Sequence, residues 1–182
     1  MEQVGLDNFT TNLLAAELGI SVGTLYHYFP NKQAILHAMG VEWLEEWQAA
    51  FDEIARAGAR GTKLDAFIEY AVDRMLRVYR DQRGVLHLVR TMFIIPELQA
   101  LDARGDELAV KRLSALFARL GIQGDARERA RKARIVLKLF NSLLPEAVGL
   151  RGAAQRRTLE DLKSLIACTL SARNGTSART AQ

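Results

Sequence analysis

A single cysteine, Cys168, among 182 residues rules out an internal disulfide. It also rules out the small secreted scaffolds that depend on disulfides, so a reducing, cytoplasmic setting is the expectation. No apolar run approaches the roughly 20 residues needed to span a bilayer, and the mean hydropathy of −0.04 agrees. The acidic start lacks the apolar stretch of a signal peptide. Histidine is scarce too: His27, His37 and His87 lie far apart, and no Cys/His metal spacing accompanies them. A P-loop, a dinucleotide fingerprint and a nucleophile elbow are all missing. The expectation is therefore no enzyme, no metal site and no cofactor. Positive charge is thin at the start: residues 1–40 carry Lys32 alone against Glu2, Asp7 and Glu17, although the whole chain has net charge +4. With 49% hydrophobic residues the chain can bury a sizeable core.

What is present near the start is a pair of short helices around a tight turn. Thr10 and Thr11 have N-cap chemistry. Leu13, Leu14, Ala15 and Leu18 form an apolar stripe at helical spacing. Gly19 suits a left-handed helix stop, and Ile20 is expected to plug the angle between the helices. Ser21 can cap a second helix from Val22 to Phe29, with Leu25 and Phe29 facing inward. Val22, Gly23, Thr24, Tyr26, His27 and Tyr28 lie on its other side. Pro30 then pushes its predecessor out of the helical region. Such a helix-turn-helix places its second helix in the DNA major groove.

The spacing Thr-Thr-x3-Ala-x2-Leu-Gly-Ile-Ser-x-Gly-Thr-Leu-Tyr-x-Tyr-Phe-x-Asn-Lys resembles the DNA-binding signature of TetR-family transcriptional regulators. The resemblance implies that Thr10, Thr11 and Asn12 meet backbone phosphates or a base at the groove edge. It implies that Ser21, Val22, Gly23, Thr24 and Tyr26 approach base edges, and that His27, Tyr28 and Lys32 reach phosphate or sugar. In the family a full first helix packs across these two. Here the chain begins where that helix should be ending, so a reading head lacking its first helix is expected.

The remainder reads as amphipathic helices. Asn31 can cap a long helix to about Arg56, striped by Ile35, Met39, Trp43, Trp47, Phe51 and Ile54 and stopped by Gly58 and Gly61. A helix from Thr62 to about Gln82 has Phe67, Met75 and Tyr79 on its apolar face. A short helix over 85–94 is apolar nearly all round and holds His87, Arg90 and Phe93. Pro96 opens another helix to about Leu120, with a break possible at Gly105. Asp125 and Glu128 can cap a helix over 126–144 that Pro145 stops or kinks. Its run of Arg127, Arg129, Arg131, Lys132 and Arg134 reads as a solvated face. The last helix, to about Ala172, buries Leu159, Leu162, Ile166 and Leu170, with Cys168 expected as a small buried residue.

These features imply an all-α fold: a helix-turn-helix head at 1–40, a ligand-binding and dimerisation domain at 41–174, and a disordered polar tail at 175–182. By the resemblance, the helices at about 126–144 and 158–172 pair with a second copy. The partners are then a double-stranded DNA operator, a small-molecule effector and a second protomer, with no membrane. Trp43, Trp47, Phe67, Met75, Tyr79, His87, Arg90 and Phe93 are the candidate effector contacts, in a cavity bounded by the helices at 32–56, 62–82, 85–94 and 96–120. The leading function is a ligand-responsive repressor. The alternatives are a helical small-molecule-binding dimer that no longer binds DNA and a purely structural helical dimer.

Overall fold

The computed structural model describes residues 11–58, 63–81 and 96–172. Thr10, the helix expected over 85–94 with His87, Arg90 and Phe93, and the expected tail at 175–182 lie outside the described residues. Within them the chain forms seven helices and no strand: α1 (Thr11–Glu17), α2 (Val22–Tyr28), α3 (Lys32–Ala57), α4 (Leu64–Asp81), α5 (Pro96–Arg119), α6 (Ala126–Gly149) and α7 (Gly152–Ser171).

Local chemistry sets the helix ends. Asn31 caps α3, its Oδ1 accepting from Ala34 N at 2.8 Å. Asp125 does the same for α6, accepting from Glu128 N at 2.8 Å. Each cap satisfies an N–H that the first helical turn leaves without a partner. Gly19 (φ 66°) and Gly121 (φ 77°) take the left-handed conformation just past α1 and α5. Residue 20 then bonds back to Ala15 O and residue 122 to Phe117 O, the double-bonded helix stop that glycine permits.

The body is a layered helical bundle. α3 packs on α4 and α5, and α6 packs on α4, α5 and α7. The expected stripe of α3 is buried at Ile35, Trp43, Trp47, Phe51 and Ile54. Phe67, Ile68, Ala71, Val72, Met75 and Tyr79 bury the inner face of α4, while Asp65, Glu69, Asp73, Arg77 and Asp81 stay exposed. A bidentate Arg74–Glu53 pair ties α4 to α3; the Arg74 guanidinium holds the Glu53 carboxylate below its ordinary pKa.

Four expectations need correction. α5 runs unbroken through Gly105, which is there for close approach: a Cβ on it would lie 2.9 Å from Leu44 Cδ2 of α3. α6 does not end at Pro145 but continues to Gly149. Pro145 removes one helix bond, at about 3 kcal/mol, but Leu144, Ala147 and Val148 are all buried around it and hold the helix through the break. Cys168 is exposed, because Leu162, Ile166 and Leu170 set the inner face of α7 and residue 168 falls on the other side.

The fourth correction is Lys132. It is fully buried rather than solvated. Its ammonium donates to Leu170 O (3.0 Å), Ala172 O (2.8 Å) and Gln123 O (3.3 Å). A cation held by the last carbonyls of α7 sits at the negative end of that helix's dipole. Lys132 thus binds the end of α7 and the loop before α6 to one point.

Gly58 closes α3 against α5. A Cβ there would lie 2.5 Å from Leu116 Cδ1 and 3.1 Å from Phe67 Cε2, and Arg119 donates to Gly58 O at 2.9 Å. Gly58→Ala should therefore destabilise the body by about 1–3 kcal/mol through overpacking, read as a lower midpoint in urea.

Candidate nucleic-acid interface

The head is built so that one side of α2 is held and the other is free. Ala15 and Leu25 are its buried residues, and Leu14, Val22 and Phe29 are partly buried against them. Leu25, at 2% exposure, fixes the roll of α2. The backbone enters α2 through Ser21, whose Oγ accepts from Thr24 N at 2.9 Å and contacts Thr24 Oγ1 at 2.8 Å. Gly23 has only Ser21 Oγ within reach of an added Cβ, at 3.7 Å. The α2 backbone is therefore open on that side.

Gly23, Thr24, Tyr26, His27 and Tyr28 are exposed, and Val22 is half-buried. Tyr28 is 72% exposed and Tyr26 44%. Tyr26 Oη lies 3.2 Å from Thr11 Oγ1, bridging α2 to the start of α1. His27 and Tyr28 meet edge to face with ring centroids 5.4 Å apart. Asn12 is exposed beside Thr11, and Lys32 opens α3 four residues beyond Tyr28. The described candidate DNA contacts thus fall on α1, on the outer side of α2 and at the start of α3. Chemically they form a surface of hydroxyls, an imidazole and one ammonium around an open backbone, suited to adaptable hydrogen bonds with base edges and phosphates.

Two expected core residues of the head differ. Leu18 is 58% exposed and Ile20 37%. Gly19 turns the chain directly after Leu18, and Ala15 and Leu25 make the buried contact instead. Ile20 closes the turn through its backbone rather than filling the angle with its side chain.

In the body, the candidate effector contacts separate into two groups. Trp43, Trp47, Met75 and Tyr79 are buried; Trp43 and Tyr79 pack edge to face at 5.0 Å, and Tyr79 Oη donates to Asn141 Oδ1 at 3.5 Å. These rings fill their space. Only Phe67 lines the void found among the described residues, a small apolar space of about 20 Å³ reached also by Phe51, Ala71, Phe117, Phe140 and Ile166. The void draws on α6 and α7, which the expected cavity did not include.

Near Tyr79, Asp102 and Asp106 stand one helical turn apart on α5, with Lys138 and Asn141 of α6 beside them. Burial, then repulsion from Asp106, raises the Asp102 pKa from 3.8 to about 6, against an opposing pull from Lys138. Burial likewise raises Asp106. A carboxyl whose folded pKa is raised binds its proton more tightly when folded. Its cost is therefore absent below about pH 4, grows as pH rises through 4–6, and is constant above that window. Solvent screening of a half-exposed group brings the cost at neutral pH to about 1 kcal/mol. Asp102→Asn should raise Tm at pH 7.5 and lose that advantage at pH 5; thermal melts of both proteins at the two pH values check this.

Comparison with known proteins follows the same division of the chain. The bacterial regulatory proteins, tetR family, match residues 1–39. The tetracyclin repressor-like C-terminal domain matches residues 63–170, more than half of the chain. No curated protein matches it. No helix among the described residues is long and apolar enough to cross a membrane. With a helix-turn-helix signature in place on exposed α2 and an all-helical body matched over its length, the chain belongs to the TetR family of ligand-responsive, DNA-binding transcriptional regulators.

Proposed function

We propose that this chain is a cytoplasmic, non-enzymatic homodimeric repressor that releases a near-palindromic operator when a small molecule binds its helical body. The head ends near residue 40 and the body extends from there to about 174. The observation that carries this reading is the outward side of α2: Gly23, Thr24, Tyr26, His27 and Tyr28 are exposed while Leu25 anchors the helix. Two such heads would read half-sites about 34–36 Å apart.

The dimer would form through α6 and α7. Their outward residues include Arg131, Arg134 and Lys138 on α6 and Leu165 on α7. The route from effector to DNA would be α3, which begins three residues after α2 and reaches into the centre of the body. An effector that moves α3 alters the spacing of the heads; a coupling of 1–3 kcal/mol changes operator affinity about 5–150-fold.

The test is selection of duplexes from a randomised library by the full chain, followed by gel shift on the enriched sequence. A palindromic duplex bound by two protomers supports the proposal. Failure to enrich any sequence overturns it and favours the second reading, a small-molecule-binding dimer without DNA. That second reading has its own observation: Lys32 is the one cation in residues 1–40, while phosphate neutralisation supplies most non-specific DNA affinity.

A further inference from the structure

We infer that the effector is a small, uncharged, apolar molecule seated where α3, α4, α5, α6 and α7 converge around Phe51, Phe67, Phe117 and Phe140. This rests on the reading of the chain as an effector-controlled regulator and supplies the chemical class of its ligand.

The walls decide the class. The space of about 20 Å³ is bounded by aliphatic and aromatic side chains from all five helices. An apolar void of this kind stays dry and accepts apolar guests. A charged or strongly polar guest would leave its own groups unpaired there and bear the full cost of desolvation. The polar groups of the interior do not reach it: Tyr79 and Asn141 are bonded to each other, and Asp102 and Asp106 cluster with Lys138 and Asn141. None of these lines the space.

The position supplies the coupling. Phe51 and Ile54 belong to α3, and Val136, Phe140, Ile166 and Leu170 to α6 and α7. The empty space holds about one water-sized sphere, so a ring-sized guest must displace Phe side chains and part α3 from the α6–α7 pair. A guest here therefore acts on the same helix that begins beside the recognition helix.

Toluene is the probe, with benzoate and benzylamine as charged controls of similar size. At about ten times its Kd, toluene should raise the Tm of the full chain by about 4 °C, and the controls should not. Ala71→Val fills the space and should weaken toluene binding at least tenfold; Phe140→Leu enlarges it and should tighten binding. The site is overturned if toluene shifts neither the wild type nor Phe140→Leu, if the charged controls bind as well, or if neither substitution changes toluene affinity. Gel shift on the selected duplex separates the two claims. Toluene that binds and leaves DNA affinity unchanged overturns its role as effector. Absence of toluene binding in a protein that still holds its duplex overturns this site and spares the DNA-binding reading.

Discussion

Lys132→Met should lower the stability of the body by about 2–4 kcal/mol and its Tm by about 6–12 °C at fixed protein concentration. The substitution keeps most of the buried stem and removes only the ammonium. Leu170 O and Ala172 O then lose their charged donor at 3.0 and 2.8 Å, and Gln123 O loses its bond at 3.3 Å. Hydrogen bonds to a charged group are worth about twice neutral ones, and an unmet buried acceptor retains its desolvation penalty. The contrast one residue earlier is instructive. Arg131 pairs with Glu128 at 2.6 Å on the exposed face of α6, and Arg131→Ala should change Tm very little, as exposed ion pairs do. Chemical denaturation of both variants checks the pair. Equal effects would mean that burial of the ammonium contributes nothing.

Leu25→Ala should abolish operator binding while leaving the body folded. Leu25 is the one buried residue of α2, and the head has little else to hold that helix, since Ala15 is small and Phe29 only half-buried. Truncating a buried leucine costs about 2–5 kcal/mol. A seven-residue helix has no independent stability to offset this. Loss of affinity of more than 100-fold is expected by gel shift. The thermal transition of the body should remain, because its core at Trp47, Phe51, Phe117 and Phe140 is untouched.

How much of this was legible in the sequence follows from which forces act locally. Ser21, Asn31 and Asp125 could be read as caps because a cap is a contact within one turn. Gly19 could be read as a stop because its backbone conformation is a property of the residue. The stripes of α3 and α4 were legible because burial there follows helical period. Lys132 was hidden in a basic run, where charge outweighs position in a residue-by-residue reading. Its register carried the signal, since it stands four, eight and twelve residues before Val136, Phe140 and Leu144. Cys168 was legible in the same way, being two residues from both Ile166 and Leu170 and so on the opposite side. Pro145 was misread because its local cost was counted and the burial of Leu144, Ala147 and Val148 was not. The grouping of effector contacts was not legible at all. Whether Trp43 and Tyr79 line a space or fill one depends on how α3 and α4 pack together, which no local pattern encodes.

The central claim is that the exposed side of α2 binds DNA. Gel shift of the selected duplex with Thr24→Ala and Tyr28→Ala, beside Asp73→Ala on the exposed face of α4, tests it most directly. The account predicts a loss of at least tenfold for each α2 variant, unchanged thermal melts for both, and wild-type affinity for Asp73→Ala. Wild-type affinity in both α2 variants would contradict it.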